Sequence, residues 1–273
     1  MIFVGAHLTA HERLVEERNK NWEDLVRGLV FEDSKSSNKD IRMHGIYQPT
    51  AHLFVLGDLN YRTARTSPVP GDFERFPQPL AGLDNPAHAM ALLRNDQLTV
   101  EKNAGRALHG LEEPEITFPP TFKFVLSRGE EYDPRKWNWT KWRWPSWCDR
   151  ILYLPMPSDY FDQSTANGSS KHIQVYKYTS IHDICDSDHK PVALHVAVPN
   201  MPVRAGPSDI RNNPPFPIDR DWKTRRAAAK RREFVVGLLA WLLQIRLAWL
   251  FSIFTVIGGS IWWGWWLLAG RMN

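Results

Sequence analysis

The stretch Phe54-Val55-Leu56-Gly57-Asp58-Leu59-Asn60-Tyr61-Arg62 decides how this chain is read, because a short apolar run ends on a carboxylate, a carboxamide and a guanidinium within five residues. Residues 52–56 are β-compatible and bounded by Gly57, which predicts a buried strand opening into polar groups at its C-terminal end. Strand ends of this kind commonly carry ligand groups, although a strand followed by an ordinary Asp/Asn turn has the same local signature. On an extended segment Asp58 and Asn60 occupy alternate positions and face one way, which sets a carboxylate beside an amide.

Upstream, residues 2–8 read as a strand that delivers His7 near its end, and residues 10–30 space Leu14, Trp22, Leu25, Val26 and Leu29 as an amphipathic helix. His7 and His11 are four apart, but His7 precedes that helix, so they are a weak metal pair. Downstream, residues 64–88 are rich in Pro and Gly and read as surface loop, and Ala89 to Gln97 reads as a short helix. Residues 173–178 and 191–198 read as strands. Strands separated by long loops with few helices fit a layered α/β sandwich better than a bundle.

Charge and cysteine usage narrow the function classes. Residues 1–198 carry 23 Lys/Arg against 26 Asp/Glu, whereas residues 199–273 carry 11 against 4, so the basic excess belongs to the tail and the globular part lacks a nucleic-acid footprint. The two cysteines, Cys148 and Cys185, have no metal-ligand spacing and form no disulfide framework, which fits a reducing compartment. Residues 199–222, with six Pro, read as a linker.

Residues 223–246 then form a basic, juxtamembrane or interfacial segment with Lys223, Arg225, Arg226, Lys230, Arg231 and Arg232. Leu247 to Gly270 runs 24 residues without a charge. At about 1.5 Å per residue that is roughly 36 Å, enough to cross a hydrocarbon core of about 30 Å. Seven Lys/Arg precede the run and one follows it, so a C-terminal single-pass anchor is expected to hold the preceding domain on the cytosolic side.

Four polar clusters stand out: AHLTAH (6–11), GDLNYR (57–62), PSWCDRILY (145–153) and SDHKPV (187–192). His189 beside Asp188, with Asp149 before a strand, offers a metal-ligating carboxylate, an imidazole and a second carboxylate able to fix the imidazole tautomer. Oxygen-rich ligation suits Mg²⁺.

With GDLNYR, P-x-W-C-D-R-I-L and SDHKPV in that order, and with DQL at 96–98 and ITFPPTFKF at 116–124, residues 1–198 resemble the inositol polyphosphate 5-phosphatase family of the endonuclease/exonuclease/phosphatase superfamily. The resemblance implies a DNase I-like α/β fold, a two-sheet β-sandwich flanked by helices. It implies Mg²⁺-assisted in-line attack of water on the 5-phosphate of phosphatidylinositol 4,5-bisphosphate. By position, Asp58 and Asn60 would orient or activate the water, His189 would engage the scissile phosphate while Asp149 holds it, and Asp188 would contribute to the metal region. His7 would contact the phosphoryl group. Lys123 and Arg143 would grip the neighbouring 4-phosphate, and Arg62 and Arg150 would support the site electrostatically.

The family's tyrosines around the lysine are Phe122 and Phe124 here. The family's principal metal ligand, a Glu, and an early Asn would lie ahead of His7 and have no counterpart, so an N-terminally incomplete sandwich is expected, either as a fragment or as a catalytically impaired, phosphoinositide-binding short form. A nuclease is the least favoured reading. The expected setting is a monomer on an anionic phosphoinositide-containing membrane, at the endoplasmic reticulum as for tail-anchored fungal relatives.

Overall fold

The computed structural model describes residues 1–32, 43–77, 87–125, 138–157, 172–184, 186–200 and 202–269. The chain divides into two compact units, Met1–Asp219 and Arg220–Asn273. The first is built on β1 (Ile2–His7), α1 (Val15–Gly28), β2 (Phe31–Glu32), β3 (Met43–His44), β4 (Leu53–Asp58), a 3₁₀ turn at Asp72–Arg75, α2 (Ala87–Leu93), α3 (Gln97–Asn103), β5 (Asp149–Tyr153), β6 (Gln174–Ser180) and β7 (Val192–Ala197). The second contains α4 (Trp222–Ala269).

Three strands form the sheet that matters for the site. β4 is central, parallel to β1 and antiparallel to β5. Its register aligns Phe3, Phe54 and Tyr153 in one row and His7, Asp58 and Asp149 in another. Because strand side chains alternate, the row position also fixes the face. Ile2, Val4, Leu53, Val55 and Leu152 enter one apolar core with Val15, Trp22 and Val26 of α1 and Leu98 of α3. The intervening residues turn to the opposite side, where Ile151 meets Trp147, Phe118, Tyr178, Val192 and Leu194. The antiparallel β6–β7 pair therefore forms a second β layer facing β5, with Ala89 of α2 packed on that side, and α1 and α3 cover the other face. This is the layered α/β arrangement expected from the strand spacing.

α1 buries Val15, Arg18, Trp22 and Val26, a stripe at helical spacing. Arg18 is the surprise on that stripe. Its guanidinium satisfies the carbonyls of Thr9 at 3.1 Å and His11 at 2.7 Å, pinning the loop that follows β1. Gly57 is required where β4 passes β1: φ is +128° and a Cβ there would lie 2.1 Å from the Ala6 carbonyl oxygen.

Two expectations change. The Pro-rich stretch 199–222 is no free linker over most of its length, because the first unit extends to Asp219. Val203 and Arg211 are buried, and Ile210 and Phe216 pack against the main core. Proline runs satisfy few backbone bonds, yet apolar side chains between them still find the core. The second change concerns the membrane anchor. Among the described residues no helix is long and apolar enough to cross a membrane. The single helix α4 runs on to Ala269, and Gly270, the last residue of the expected span, lies outside the described residues, as does Cys185.

Candidate active site

The row His7–Asp58–Asp149 lies at the end of the sheet where β1 and β4 finish and β5 begins, on the face turned away from α1. The segment between β6 and β7 brings His189 to it. His189 Nδ1 lies 2.9 Å from Asp149 Oδ2, and its Nε2 lies 3.8 Å from Asp58 Oδ2. His7 Nε2 approaches the same Asp58 oxygen at 3.4 Å from the solvent side. One carboxylate thus stands between two imidazoles.

Asp149 is held by two groups. The Thr121 hydroxyl donates to its Oδ2 at 2.7 Å, and Oδ2 is also the atom facing His189. A carboxylate accepting at Nδ1 fixes the tautomer of the ring and leaves Nε2 turned toward Asp58 and the site. Burial alone would lower the proton affinity of His189, but the bond and charge of Asp149, with Asp58 and Asp188, outweigh it and raise its pKa. The pKa of Asp58 is also raised, first by burial and then by the neighbouring charge of Asp149, against the opposing pull of His189, His7 and Arg62.

Asn60 leaves β4 with φ at +58°, a conformation that Asn tolerates better than most residues. Its backbone N–H donates to Asp58 Oδ1 at 3.1 Å. Its side-chain Nδ2 donates to the Leu8 carbonyl at 3.0 Å, and its Oδ1 accepts from Arg62 Nη2. The amide thereby ties the ends of β1 and β4 together from a buried position, and its backbone N–H holds the Asp58 carboxylate that faces the site.

The structure brings His7, Asp58, Asn60, Asp149 and His189 into one cluster. It distributes the other sequence-predicted residues differently. Asp188 was expected in the metal region, but it pairs with Lys123 Nζ at 2.7 Å. Burial would raise the Asp188 pKa, and the lysine outweighs this and lowers it. The described residues that could hold a metal together are Asp58, Asp149 and His189, whose ligand atoms lie within 4.8 Å of one another. Arg143 lies across the loop after β1, with Nε 3.7 Å from Glu12 Oε1, Nη2 3.5 Å from His11 Nδ1 and Nη1 donating to Ser67 Oγ at 3.3 Å.

Arg62 and Arg150, expected to support the site electrostatically, are both buried. Arg62 works through Asn60 and stacks over Phe122. Arg150 bonds Asp96 Oδ2 at 2.9 Å and both Glu113 oxygens at 2.6 Å, on the helix side of the sheet. Adjacent residues on a strand point to opposite faces, which is why Asp149 reaches the site and Arg150 does not.

Two contributors escaped the sequence reading, Thr121 and Glu12, and Phe122 was noted there only as a departure from tyrosine. Thr121 and Phe122 sit in the same ITFPPTFKF string that yielded Lys123, and a hydroxyl two positions before that lysine was a usable signal. Glu12, almost fully buried against Arg143, follows the AHLTAH cluster directly.

A cation fits the donor set in one respect that the structure itself supplies. Two carboxylates face each other across a strand pair with Asp58 disfavoured as an anion, and a hard divalent ion would relieve that repulsion through the oxygens of Asp58 and Asp149. The imidazole of His189 is a poorer partner for such an ion and a good one for a phosphoryl oxygen.

Residues 1–195 match the family model described as "Endonuclease/Exonuclease/phosphatase family 2". Among curated proteins the chain is similar to phosphatidylinositol 3,4,5-trisphosphate 5-phosphatase 2A of Danio rerio, 31% identical over 70% of this chain and 13% of that protein. It is also similar to phosphatidylinositol 3,4,5-trisphosphate 5-phosphatase 1 of Xenopus laevis, 34% identical over 70% of this chain and 16% of that protein. The chain therefore spans only a small part of the length of the curated relatives it matches. Among solved structures it is similar to the inositol polyphosphate 5-phosphatase domain of SPsynaptojanin in complex with inositol (1,4)-bisphosphate and calcium ion, at 25% identity and a TM-score of 0.45, covering 72% of this chain and 47% of that one.

Proposed function

This chain belongs to the endonuclease/exonuclease/phosphatase family, and from that premise we propose that it is a phosphoinositide 5-phosphatase acting on phosphatidylinositol 4,5-bisphosphate. The observation that carries the reading is the row His7–Asp58–Asp149, closed by His189 on one side of the sheet. It is supported by the similarity to phosphatidylinositol 3,4,5-trisphosphate 5-phosphatases.

The residues divide the work as follows. His189, oriented by Asp149, donates from Nε2 to an oxygen of the scissile phosphate, and its raised pKa keeps it protonated further toward neutral pH. Asp58, close to both histidines, orients the attacking water and accepts its hydrogen bond. His7, exposed at the rim, meets the phosphoryl oxygens or the leaving oxygen. Lys123 and Arg143 supply positive charge for a neighbouring ring phosphate. Each is already engaged by a carboxylate, Asp188 and Glu12, which the substrate phosphate would have to displace. Mg²⁺ held by Asp58 and Asp149 would neutralise charge on the phosphate and lower the pKa of a bound water.

We also propose that α4 places this activity on a membrane, at the cytosolic face of the endoplasmic reticulum. The support is the basic block ahead of the uncharged run Leu247–Gly270 and the exposure of Phe234, Val236, Leu239, Trp241, Leu243, Leu247 and Trp249, which lie on more than one side of the helix.

One experiment addresses both parts. Full-length chain is mixed with phosphatidylcholine vesicles containing phosphatidylinositol 4,5-bisphosphate, with Mg²⁺ or with EDTA, and both pelleting and phosphate release are read. The expected result is pelleting together with Mg²⁺-dependent release. Pelleting with release no greater than that of Asp58→Ala points to a membrane-bound phosphoinositide-binding module. Cleavage of DNA without lipid hydrolysis points to a nuclease.

A further inference from the structure

Arg62 is too buried to touch a substrate, and its contacts run to both halves of the site. Nε donates to the Asn60 carbonyl at 3.0 Å, and Nη2 donates to Asn60 Oδ1. Asn60 in turn donates to the Leu8 carbonyl, one residue beyond His7. On the other side the Arg62 guanidinium lies 4.2 Å over the ring of Phe122, and that ring lies 4.6 Å from the imidazole of His189. Phe122 cannot drift, because its N–H donates to the Ser146 carbonyl at 3.1 Å and its carbonyl accepts from Ser146 N–H at 2.8 Å. Thr121, which precedes it, holds Asp149.

These contacts form one continuous path from His7 to His189 with a single guanidinium at its centre. A planar group is needed there, since only a fork can bond a backbone carbonyl and a carboxamide oxygen while presenting a flat face to an aromatic ring. Arg62 Nη1 is buried with no hydrogen-bond partner among the described residues. A guanidinium kept in place despite an unmet donor is held for its geometry, since an unmet buried donor costs stability.

We propose that Arg62 is a positioning residue that sets the two histidines together, His7 through Asn60 and Leu8, and His189 through the face of Phe122. The proposal rests on the phosphatase reading for its kinetic consequence and not for its structural one. Lysine at position 62 keeps the charge and loses the fork and the flat face. Arg62→Lys is therefore expected to lower kcat by roughly ten- to a hundredfold, as a small misplacement of reacting groups does, with KM changed less than about twofold.

Two readouts separate the outcomes. In the full chain without substrate, the imidazole resonances of both His7 and His189 should shift in Arg62→Lys, and only those of His189 should shift strongly in Phe122→Leu. Phe122→Tyr, which retains the ring face, should restore most of the kcat lost in Phe122→Leu. If Arg62→Lys does not fold, the Phe122 pair decides. Unmoved His189 resonances in Phe122→Leu, or an Arg62→Lys variant with raised KM and unchanged kcat, would overturn the proposal. If the chain hydrolyses no phosphoinositide, the resonances still test the coupling, so failure of the phosphatase reading and failure of this one are told apart.

Discussion

Asp58→Asn is expected to lower kcat on phosphatidylinositol 4,5-bisphosphate by roughly 10²- to 10⁴-fold, while the melting temperature stays the same or rises. The asymmetry follows from what the carboxylate costs. Asp58 is partly buried beside Asp149, and both effects raise its pKa in the folded state. A carboxyl whose folded pKa lies above its unfolded one contributes a penalty to the folded state once pH exceeds the unfolded value, and the neutral amide removes it. Asparagine keeps the shape and can still accept the N–H of Asn60 at Oδ1. What it loses is the charge that would hold a cation and the stronger acceptor for water. Phosphate release by the variant, measured with its melting curve, checks both halves. A variant that is destabilised and equally active would remove Asp58 from the chemistry.

Arg150→Ala should show the reverse pattern. Its guanidinium is fully buried between Asp96 and Glu113, and Glu113 is also bonded by the Tyr178 hydroxyl at 2.7 Å. Removing the cation strands two buried carboxylates, one of which caps α3 by accepting the Thr99 N–H at 2.9 Å. Breaking a buried pair in this way costs about 3–5 kcal/mol. For a unit of this size, that corresponds to a fall of roughly 6–20 °C in melting temperature. Thermal denaturation of the variant tests it. An undiminished melting temperature with a raised KM for lipid would return Arg150 to the supporting role at the site that the family resemblance implies.

That pair of neighbours shows where the sequence stops being legible. The string Cys148-Asp149-Arg150 marks a site, but only the pairing of β5 with β4 says which face each residue takes. Asp58 was readable because it stands at a strand end between Gly57 and Asn60, and Asp149 because it opens the strand that continues into Ile151, Leu152 and Tyr153. That they share a row with His7 depends on register, which is set by contacts far apart in the chain. Asp188 and Lys123 were each readable as polar site residues, yet their mutual ion pair spans 65 positions and leaves no local trace. Phe122 was visible as a departure from a tyrosine in the lysine segment. Its ring face was the feature that mattered, because the ring packs between Arg62 and His189. The Pro-rich stretch before Asp219 misled in the other direction, since composition hid the apolar residues Val203, Ile210 and Phe216 that it delivers to the core.

The most direct test of the central claim is the identity of the lipid product when the full chain acts on phosphatidylinositol 4,5-bisphosphate in the presence of Mg²⁺. The account predicts phosphatidylinositol 4-phosphate, formed by wild-type protein and absent with Asp58→Asn. Phosphatidylinositol 5-phosphate as the product, or substrate left intact by a folded, vesicle-bound protein, would contradict it.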